Sequence, residues 1–275
     1  MSDTYELRVR GHLDDRLANW LGDLTIVRNG DGTSTITAAA TDQARLHGLL
    51  AGLRDLGAPV LSLRVLEVPA PTLPGVVVTD RLRLRPGTAE DAGATWEYRR
   101  LPEVGEWLTE IPRDLDAYRA TFSDPDRLAN TVVVELEGQV IGDFMLRLED
   151  GWAQAEVAEC GRRTQAELGW VLDPAFTGWG FATEAVDALL RVCFEELGVR
   201  RVVATCFLGN ESSWRLMERV GMRRETHSVA ESLHRNGQWL DTLGYALLAA
   251  EWRSRFVSDV PLTVVSRDRS GSRIE

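Results

Sequence analysis

Leu168-Gly169-Trp170-Val171-Leu172-Asp173-Pro174-Ala175-Phe176-Thr177-Gly178-Trp179-Gly180-Phe181-Ala182-Thr183-Glu184-Ala185 is the stretch on which the fold turns. Leu168 to Leu172 is a short apolar run and reads as a buried strand. Asp173-Pro174 stops it, because proline lacks a ladder donor and disfavours helix in the residue before it. Gly178 and Gly180 follow, one residue apart. A helical pattern then starts at once: Ala185, Val186, Leu189, Leu190, Cys193, Phe194 and Leu197 recur at spacings of three and four. Strand, glycine loop and helix N-terminus together make a phosphate-binding device. The glycines let the backbone approach closely, and the first helical turn points free N–H groups at an anion. The alternative is an ordinary strand-to-helix turn that binds nothing.

The details separate one phosphate loop from another. No Gly-Lys-Ser/Thr follows the glycines, so this is not a nucleotide P-loop. The third glycine of the dinucleotide fingerprint is missing, and no acidic residue ends a following strand. The loop resembles the pyrophosphate loop of the GNAT superfamily of acyl-CoA N-acyltransferases, whose pattern is Gln/Arg-x-x-Gly-x-Gly/Ala. Thr177-Gly178-Trp179-Gly180-Phe181-Ala182 carries its glycines, with Thr177 as a departure from Gln/Arg. The branch resembling ribosomal-protein-alanine acetyltransferases also lacks Gln/Arg and shares the Gly-Phe/Tyr-Ala-Thr-Glu-Ala continuation. A second block agrees. Arg201 to Cys206 reads as a strand, followed by Asn210-Glu211-Ser212-Ser213 and, further on, Glu218-Arg219-Val220-Gly221-Met222. By itself this is a capped helix, with Asn210 as N-cap and Gly221 as stop. It is also similar to the family's Asn-x-x-Ser…Glu-x-x-Gly-Phe segment, with Met222 in place of Phe. The resemblance spans Thr79 to Arg255.

Composition bounds the rest. The chain has 275 residues, 44% hydrophobic and 27% charged, as in ordinary globular proteins. It has no stretch approaching the length of a transmembrane helix. Its start is polar and acidic, unlike a signal peptide. Cys160, Cys193 and Cys206 are scattered and odd in number, which fits neither a disulfide framework nor a metal site. A reducing cytoplasm is expected. The net charge of −11 disfavours nucleic-acid binding and favours cationic acceptors such as amines. All 31 basic residues are arginine.

Residues 1–68 read as a unit of their own. Tyr5-Leu7-Val9 alternate as a half-buried strand, and Asp14 to Leu21 is expected as a short helix. Leu24 to Val27 and Thr33 to Thr37 flank Asn29-Gly30-Asp31-Gly32, a hairpin signal. Asp42 is expected to cap a helix bearing Leu46, Leu49, Leu50, Leu53 and Leu56, ended by Gly57. Val60 to Leu66 is a last strand. The order β-α-β-β-α-β predicts a small ferredoxin-like domain. His47 is read as a surface or structural residue. Dimerisation, partner docking and small-ligand sensing stay open as its roles. Pro69-Ala70-Pro71-Thr72-Leu73-Pro74-Gly75 lies in a semi-rigid linker, 69–78.

The remaining chain, 79–255, predicts an α+β unit around a mixed sheet. Thr79 to Pro86 is its first strand and Ala89 to Arg100 a helix. A pair of short helices is expected through Trp107 to Phe122. Thr131 to Glu137 and Val140 to Leu148 form a hairpin around Gly138-Gln139. Gly151 to Arg163 is expected as a third strand and loop, and Ala166 to Leu172 as the fourth strand. His227 to Leu233 and Trp239 to Leu248 close the unit as a hairpin turning at Asn236-Gly237. Residues 256–275 are polar and are expected to form a tail.

The resemblance implies acetyl-CoA as co-substrate, no metal, and an amine acceptor, either a small molecule or a protein N-terminus. Nucleic acid and membranes are not expected partners, and a homodimer is one expected assembly. The reaction must hold the pyrophosphate, polarise the thioester carbonyl, take a proton from the amine and stabilise the leaving thiolate. Backbone N–H groups of Gly178, Trp179, Gly180, Phe181, Ala182 and Thr183, beside Thr177, are expected at the pyrophosphate. A backbone N–H near Val171 or Leu172, next to Trp170, would polarise the carbonyl where the family's fourth and fifth strands splay. Glu167 is the expected base, against the alternative of a solvated strand-edge carboxylate. The family's tyrosine position falls on Met217, which donates no proton. Ser213 is therefore the expected donor to the thiolate, against the alternative of a second capping hydroxyl. Asn210 is expected to hold the pantetheine arm. Trp107, Trp152, Trp170, Trp179 and Trp239 fall near expected cleft segments, and Trp179, between the glycines, is expected to be exposed. Three functions remain distinguishable: an N-acetyltransferase, a non-catalytic acyl-CoA-binding regulator, and a partner-docking protein whose first domain does the work.

Overall fold

Tyr5, Leu7 and Val9 alternate with polar residues along β1 (Asp3–Arg10), and all three are buried. The computed structural model describes residues 3–13, 24–40, 43–66 and 69–255. The chain divides into two compact units, residues 1–70 and 71–275. In the first, β2 (Leu24–Arg28) and β3 (Thr33–Ala40) form the hairpin that the Asn-Gly-Asp-Gly turn predicts. Helix α1 (Gln43–Asp55) buries Leu46, Leu49 and Leu53, while Leu56 beyond its end is 46% exposed. With β4 (Val60–Leu66) the strands order as β2-β3-β1-β4, every pair antiparallel. That is the strand order of a split β-α-β unit. The expected helix Asp14 to Leu21 and the expected cap Asp42 lie outside the described residues, as do residues 256–275.

The second unit is an eight-stranded mixed sheet. Its first strands are β5 (Val77–Val78) and β6 (Leu82–Pro86). Four short helices follow: α2 (Ala92–Arg99), α3 (Pro102–Gly105), α4 (Leu115–Phe122) and α5 (Pro125–Asn130). Then come β7 (Thr131–Leu136), β8 (Gln139–Glu149), β9 (Gln165–Leu172) and helix α6 (Phe181–Arg191). β10 (Arg201–Phe207), α7 (Glu211–Arg219), β11 (Arg223–Leu233), β12 (Trp239–Leu248) and α8 (Ala249–Arg255) complete it. The sheet order is β11-β12-β10-β9-β8-β7-β6-β5. The apolar stripe of α6 (Ala185, Val186, Leu189, Leu190) packs in one cluster with Leu84, Val134, Leu146, Ala166, Leu168, Val202 and Ala204 of the strands.

One expected strand does not form. Residues 151–163 contain a 3-10 segment, Ala155–Gly161, and the loop closes where Gly151 N donates to the Gly161 carbonyl at 2.7 Å. Its Ala- and Glu-rich sequence has little of the β-branched content that a strand needs.

The consequential feature lies between β9 and β10, which are parallel. They pair only at Arg201↔Gln165, Val202↔Ala166 and Val203↔Glu167. β9 continues to Leu172 against β8 alone, while β10 continues to Phe207 against β12 alone. The two strands therefore splay, leaving a wedge whose walls carry ladder groups with no strand opposite.

Candidate active site

The wedge opens into a cleft of about 2410 Å³ in the second unit. One wall is built by the stretch from the end of β9 to the start of α6. Asp173 ends β9: its N–H donates to the Ile141 carbonyl at 2.8 Å and its side chain accepts from Ala175 N at 2.9 Å. Thr177 Oγ1 turns back to the Pro174 carbonyl at 2.8 Å, closing the turn. Gly178 and Gly180 sit at φ 82° and 81°, in the left-handed region open to glycine. Gly180 is the N-cap of α6. Thr177, Gly178, Gly180, Phe181, Ala182 and Thr183 all line the cleft. A helix leaves the N–H groups of its first turn without intrahelical partners, so the loop and this turn offer an anion a concave set of donors. Arg191 of α6 and, on α7, Arg215 and Arg219 also border the cleft, with Arg219 Nη1 donating to Thr183 Oγ1 at 3.2 Å.

Backbone direction follows from the alternation of β9. Asp173 N turns to β8, and the Val171 carbonyl lies against Gly142 of β8. The strand period of two then turns Trp170 and Leu172 toward the wedge. Of the two expected positions for the polarising N–H, Leu172 faces the opening and Val171 faces away.

Across the wedge, Asn210 caps α7, its Oδ1 accepting from Ser213 N at 3.3 Å and from Ser212 Oγ at 3.0 Å. Asn210 and Ser213 both line the cleft, and so does Cys206. Burial pushes the Cys206 thiol up to about 11, against a smaller pull from a hydrogen bond with Ser213. Met217 is core, 1% exposed. Tyr245 on the neighbouring β12 is committed elsewhere, its hydroxyl donating to Glu218 Oε1 at 2.8 Å.

Glu167 is placed differently from a free base. It faces Arg147 across the β8–β9 ladder, and Arg147 Nη2 donates to its Oε2. Arg147 lines the cleft; Glu167 is not among the lining residues. A second carboxylate, Glu231, is likewise not among the lining residues, but its Oε2 accepts from Oγ1 of Thr242, which lines the cleft. The β11 register shifts between Ser228 and Ser232, with Ala230 at φ 50°, so this strand bulges where Glu231 stands. Such a bulge leaves no simple sequence signal.

Arg99 and Asp143 both line the cleft and form a buried ion pair. Arg99 Nε and Nη2 donate to Asp143 at 2.8 Å and 2.6 Å, and the Tyr98 hydroxyl donates to Asp143 Oδ1 at 2.7 Å. Burial, with the Asp143 charge, raises the Tyr98 phenol well above its ordinary range. Trp107 and Phe207 line the cleft and stack with His234 at centroid distances of 5.9 Å and 5.5 Å. His234 Nε2 donates to the Glu106 carbonyl at 2.9 Å, and Arg235 donates to the Leu108 carbonyl. The tip of the last hairpin thereby pins the loop after α3. Of the other singled-out tryptophans, Trp170 lines the cleft with its ring against the core, whereas Trp152, Trp179 and Trp239 are 89%, 69% and 61% exposed and do not line it. Among the described residues no cluster of His, Cys, Asp and Glu fit to hold a metal ion occurs.

Comparison with known proteins agrees with this fold. The family described as the acetyltransferase (GNAT) domain matches residues 81–223, and a domain of unknown function matches residues 4–64. The uncharacterized N-acetyltransferase YnaD of Bacillus subtilis is 31% identical over 180 residues, 64% of this chain and 98% of that protein. The putative ribosomal N-acetyltransferase YdaF of Bacillus subtilis is 31% identical over 151 residues, 54% of this chain and 80% of that protein. The crystal structure of a GNAT-family acetyltransferase from Bacillus anthracis superposes with a TM-score of 0.55 at 29% identity, over 64% of this chain and 99% of that one.

Proposed function

The chain belongs to the GNAT acetyltransferase family, and from that premise we propose that it moves an acetyl group from acetyl-CoA directly to a primary amine held in the same cleft. The observation that carries this reading is the wedge between β9 and β10, with a phosphate loop at one wall and Ser213 at the other. Acetyl-CoA supplies the activated carbonyl and a thiolate leaving group. Donors from Gly178 to Thr183 hold the pyrophosphate, and the N–H of Leu172 turns into the wedge to meet the thioester oxygen. The amine nitrogen bonds to the acetyl carbon as the carbon–sulfur bond breaks. The amine's proton leaves to a carboxylate, and Ser213 Oγ–H donates a hydrogen bond to the departing sulfur, which leaves as the thiolate. Asn210, which caps α7, holds the pantetheine arm.

Glu167 remains the assignment for the base, acting through water beside Arg147. Glu231, hydrogen-bonded to Thr242 in the cleft wall, is the competing carboxylate. The acceptor is a protein N-terminus or a small amine. The likeness to a putative ribosomal N-acetyltransferase supports the first, and the acidic chain suits either. The N-terminal unit is proposed as an accessory domain, and a cytoplasmic location fits the chemistry.

Ser213→Ala is expected to lower kcat roughly tenfold to a hundredfold, at the modest end of general-acid effects because a thiolate leaves readily. The KM for acetyl-CoA should move little. Glu167→Gln and Glu231→Gln are compared by their kcat/KM profiles against pH. The variant that loses the acidic limb identifies the base, and an unchanged profile in Glu167→Gln removes that assignment. Wild-type turnover by Ser213→Ala would remove the donor role.

A further inference from the structure

Arg81 stands just before β6, outside every motif considered so far, and reaches the glycine loop from the far end of the sheet. Its backbone N–H donates to Glu184 Oε1 at 2.9 Å and its Nε to Oε2 at 2.7 Å. Its Nη2 lies 2.6 Å from Oε2. Its Nη1 donates to the Trp179 carbonyl at 3.0 Å, and its guanidinium lies 4.5 Å over the Phe181 ring. The hydroxyl of Thr79 donates to Glu184 Oε1 at 2.5 Å. One side chain thus touches the loop, the first residue of α6 and the carboxylate in that helix's first turn.

Glu184 needs this neutralisation. A carboxylate in a first turn suits the helix dipole, but here it stands beside the donors that are to receive a doubly charged pyrophosphate. Burial alone pushes the Glu184 carboxyl up; the Thr79 hydroxyl, the Arg81 backbone and the Arg81 guanidinium outweigh it and hold it below the ordinary carboxylate range. Glu184 is therefore a fixed negative charge, and Arg81 is what cancels it.

We propose that Arg81 is a positioning residue of the cofactor loop: it cancels the Glu184 carboxylate and anchors the Trp179 carbonyl, so that the Gly178–Gly180 turn presents its N–H groups to an anion. The proposal rests on the reading of that loop as the CoA site. It predicts two separable losses when Arg81 is removed, one electrostatic and one geometric.

The test is calorimetric titration of CoA into the full chain, at two salt concentrations, for wild type, Arg81→Ala, Arg81→Lys, Glu184→Gln and Arg81→Ala/Glu184→Gln. Arg81→Ala is expected to bind about tenfold more weakly, a loss that shrinks at high salt. Glu184→Gln is expected to stay within about twofold of wild type, and the double variant to recover a large part of the loss of Arg81→Ala. Arg81→Lys keeps the charge without the fork and should fall between. In turnover, Arg81→Ala should raise the KM for acetyl-CoA while leaving kcat and the KM for the amine unchanged, a split that general destabilisation does not produce. Wild type that binds no CoA overturns the loop's reading and the proposal together. Wild type that binds CoA, with Arg81→Ala binding equally well or the double variant no better than the single, overturns the proposal alone.

Discussion

An Asp143→Ala protein is expected to lose about 3–5 kcal/mol of stability, the usual result of removing one partner from a buried ion pair. Arg99 and Asp143 have side chains 16% and 5% exposed. Removing the carboxylate leaves the Arg99 guanidinium with little water to replace it, and strips the Tyr98 hydroxyl of its acceptor. In a unit of this size each kcal/mol shifts Tm by about 2–4 °C, so the melting temperature should fall by about 6–20 °C. Replacing both partners, Arg99→Met with Asp143→Leu, should return much of the loss, because the penalty comes from the uncompensated charge. Thermal unfolding followed by circular dichroism reads this directly. A shift of Asp143→Ala smaller than about 2 °C would mean that the pair is effectively solvated. The same pair ties α2 to β8, so surviving Asp143→Ala protein should also bind the acceptor amine more weakly than acetyl-CoA suffers.

Gly180→Val is expected to abolish measurable CoA binding while leaving the fold intact. Gly180 has φ 81°, and a Cβ there would lie 3.6 Å from Arg81 Nη2. A left-handed conformation costs an ordinary residue about 1–2 kcal/mol, and a β-branched one more. If the loop relaxes to escape that strain, affinity falls about fivefold to thirtyfold from strain alone, and valine methyl groups crowding the bound anion would remove more. Gly178→Ala separates the two causes. At Gly178 nothing lies within 4 Å of a built Cβ, yet φ is 82°. Its loss of affinity therefore measures backbone strain without a clash. Calorimetry with CoA checks both, and wild-type affinity in Gly180→Val would show that the loop does not hold the pyrophosphate.

Local chemistry made the glycine loop legible. Proline after Asp173, glycines at Gly178 and Gly180 and the period of Ala185, Leu189 and Cys193 each speak within a few residues. The ferredoxin-like strand order was legible for the same reason, since hairpins and alternation are local. The wedge was not, because it depends on where two strands stop pairing, and only the family resemblance anticipated it. Glu167 shows the limit more sharply. Its identity and strand position were readable, but its partner Arg147 is set by the β8–β9 register. Arg81 was invisible because its contacts join it to Glu184, 103 residues away in sequence. The segment 151–163 forms a 3-10 turn in place of the expected strand and loop, in keeping with alanines and glutamates that favour helical turns.

The central claim is catalytic, and amine-dependent thiol release tests it most directly. Acetyl-CoA and the full chain are mixed with peptides differing in their N-terminal residue, with polyamines, with aminoglycosides and with amino acids. CoA affinity is measured by calorimetry on the same sample. At least one acceptor class is expected to raise thiol release well above the amine-free rate, with one acetyl group gained by the acceptor for each thiol freed. Tight CoA binding, with release that no amine accelerates, would contradict the transferase and leave an acyl-CoA-binding regulator in its place.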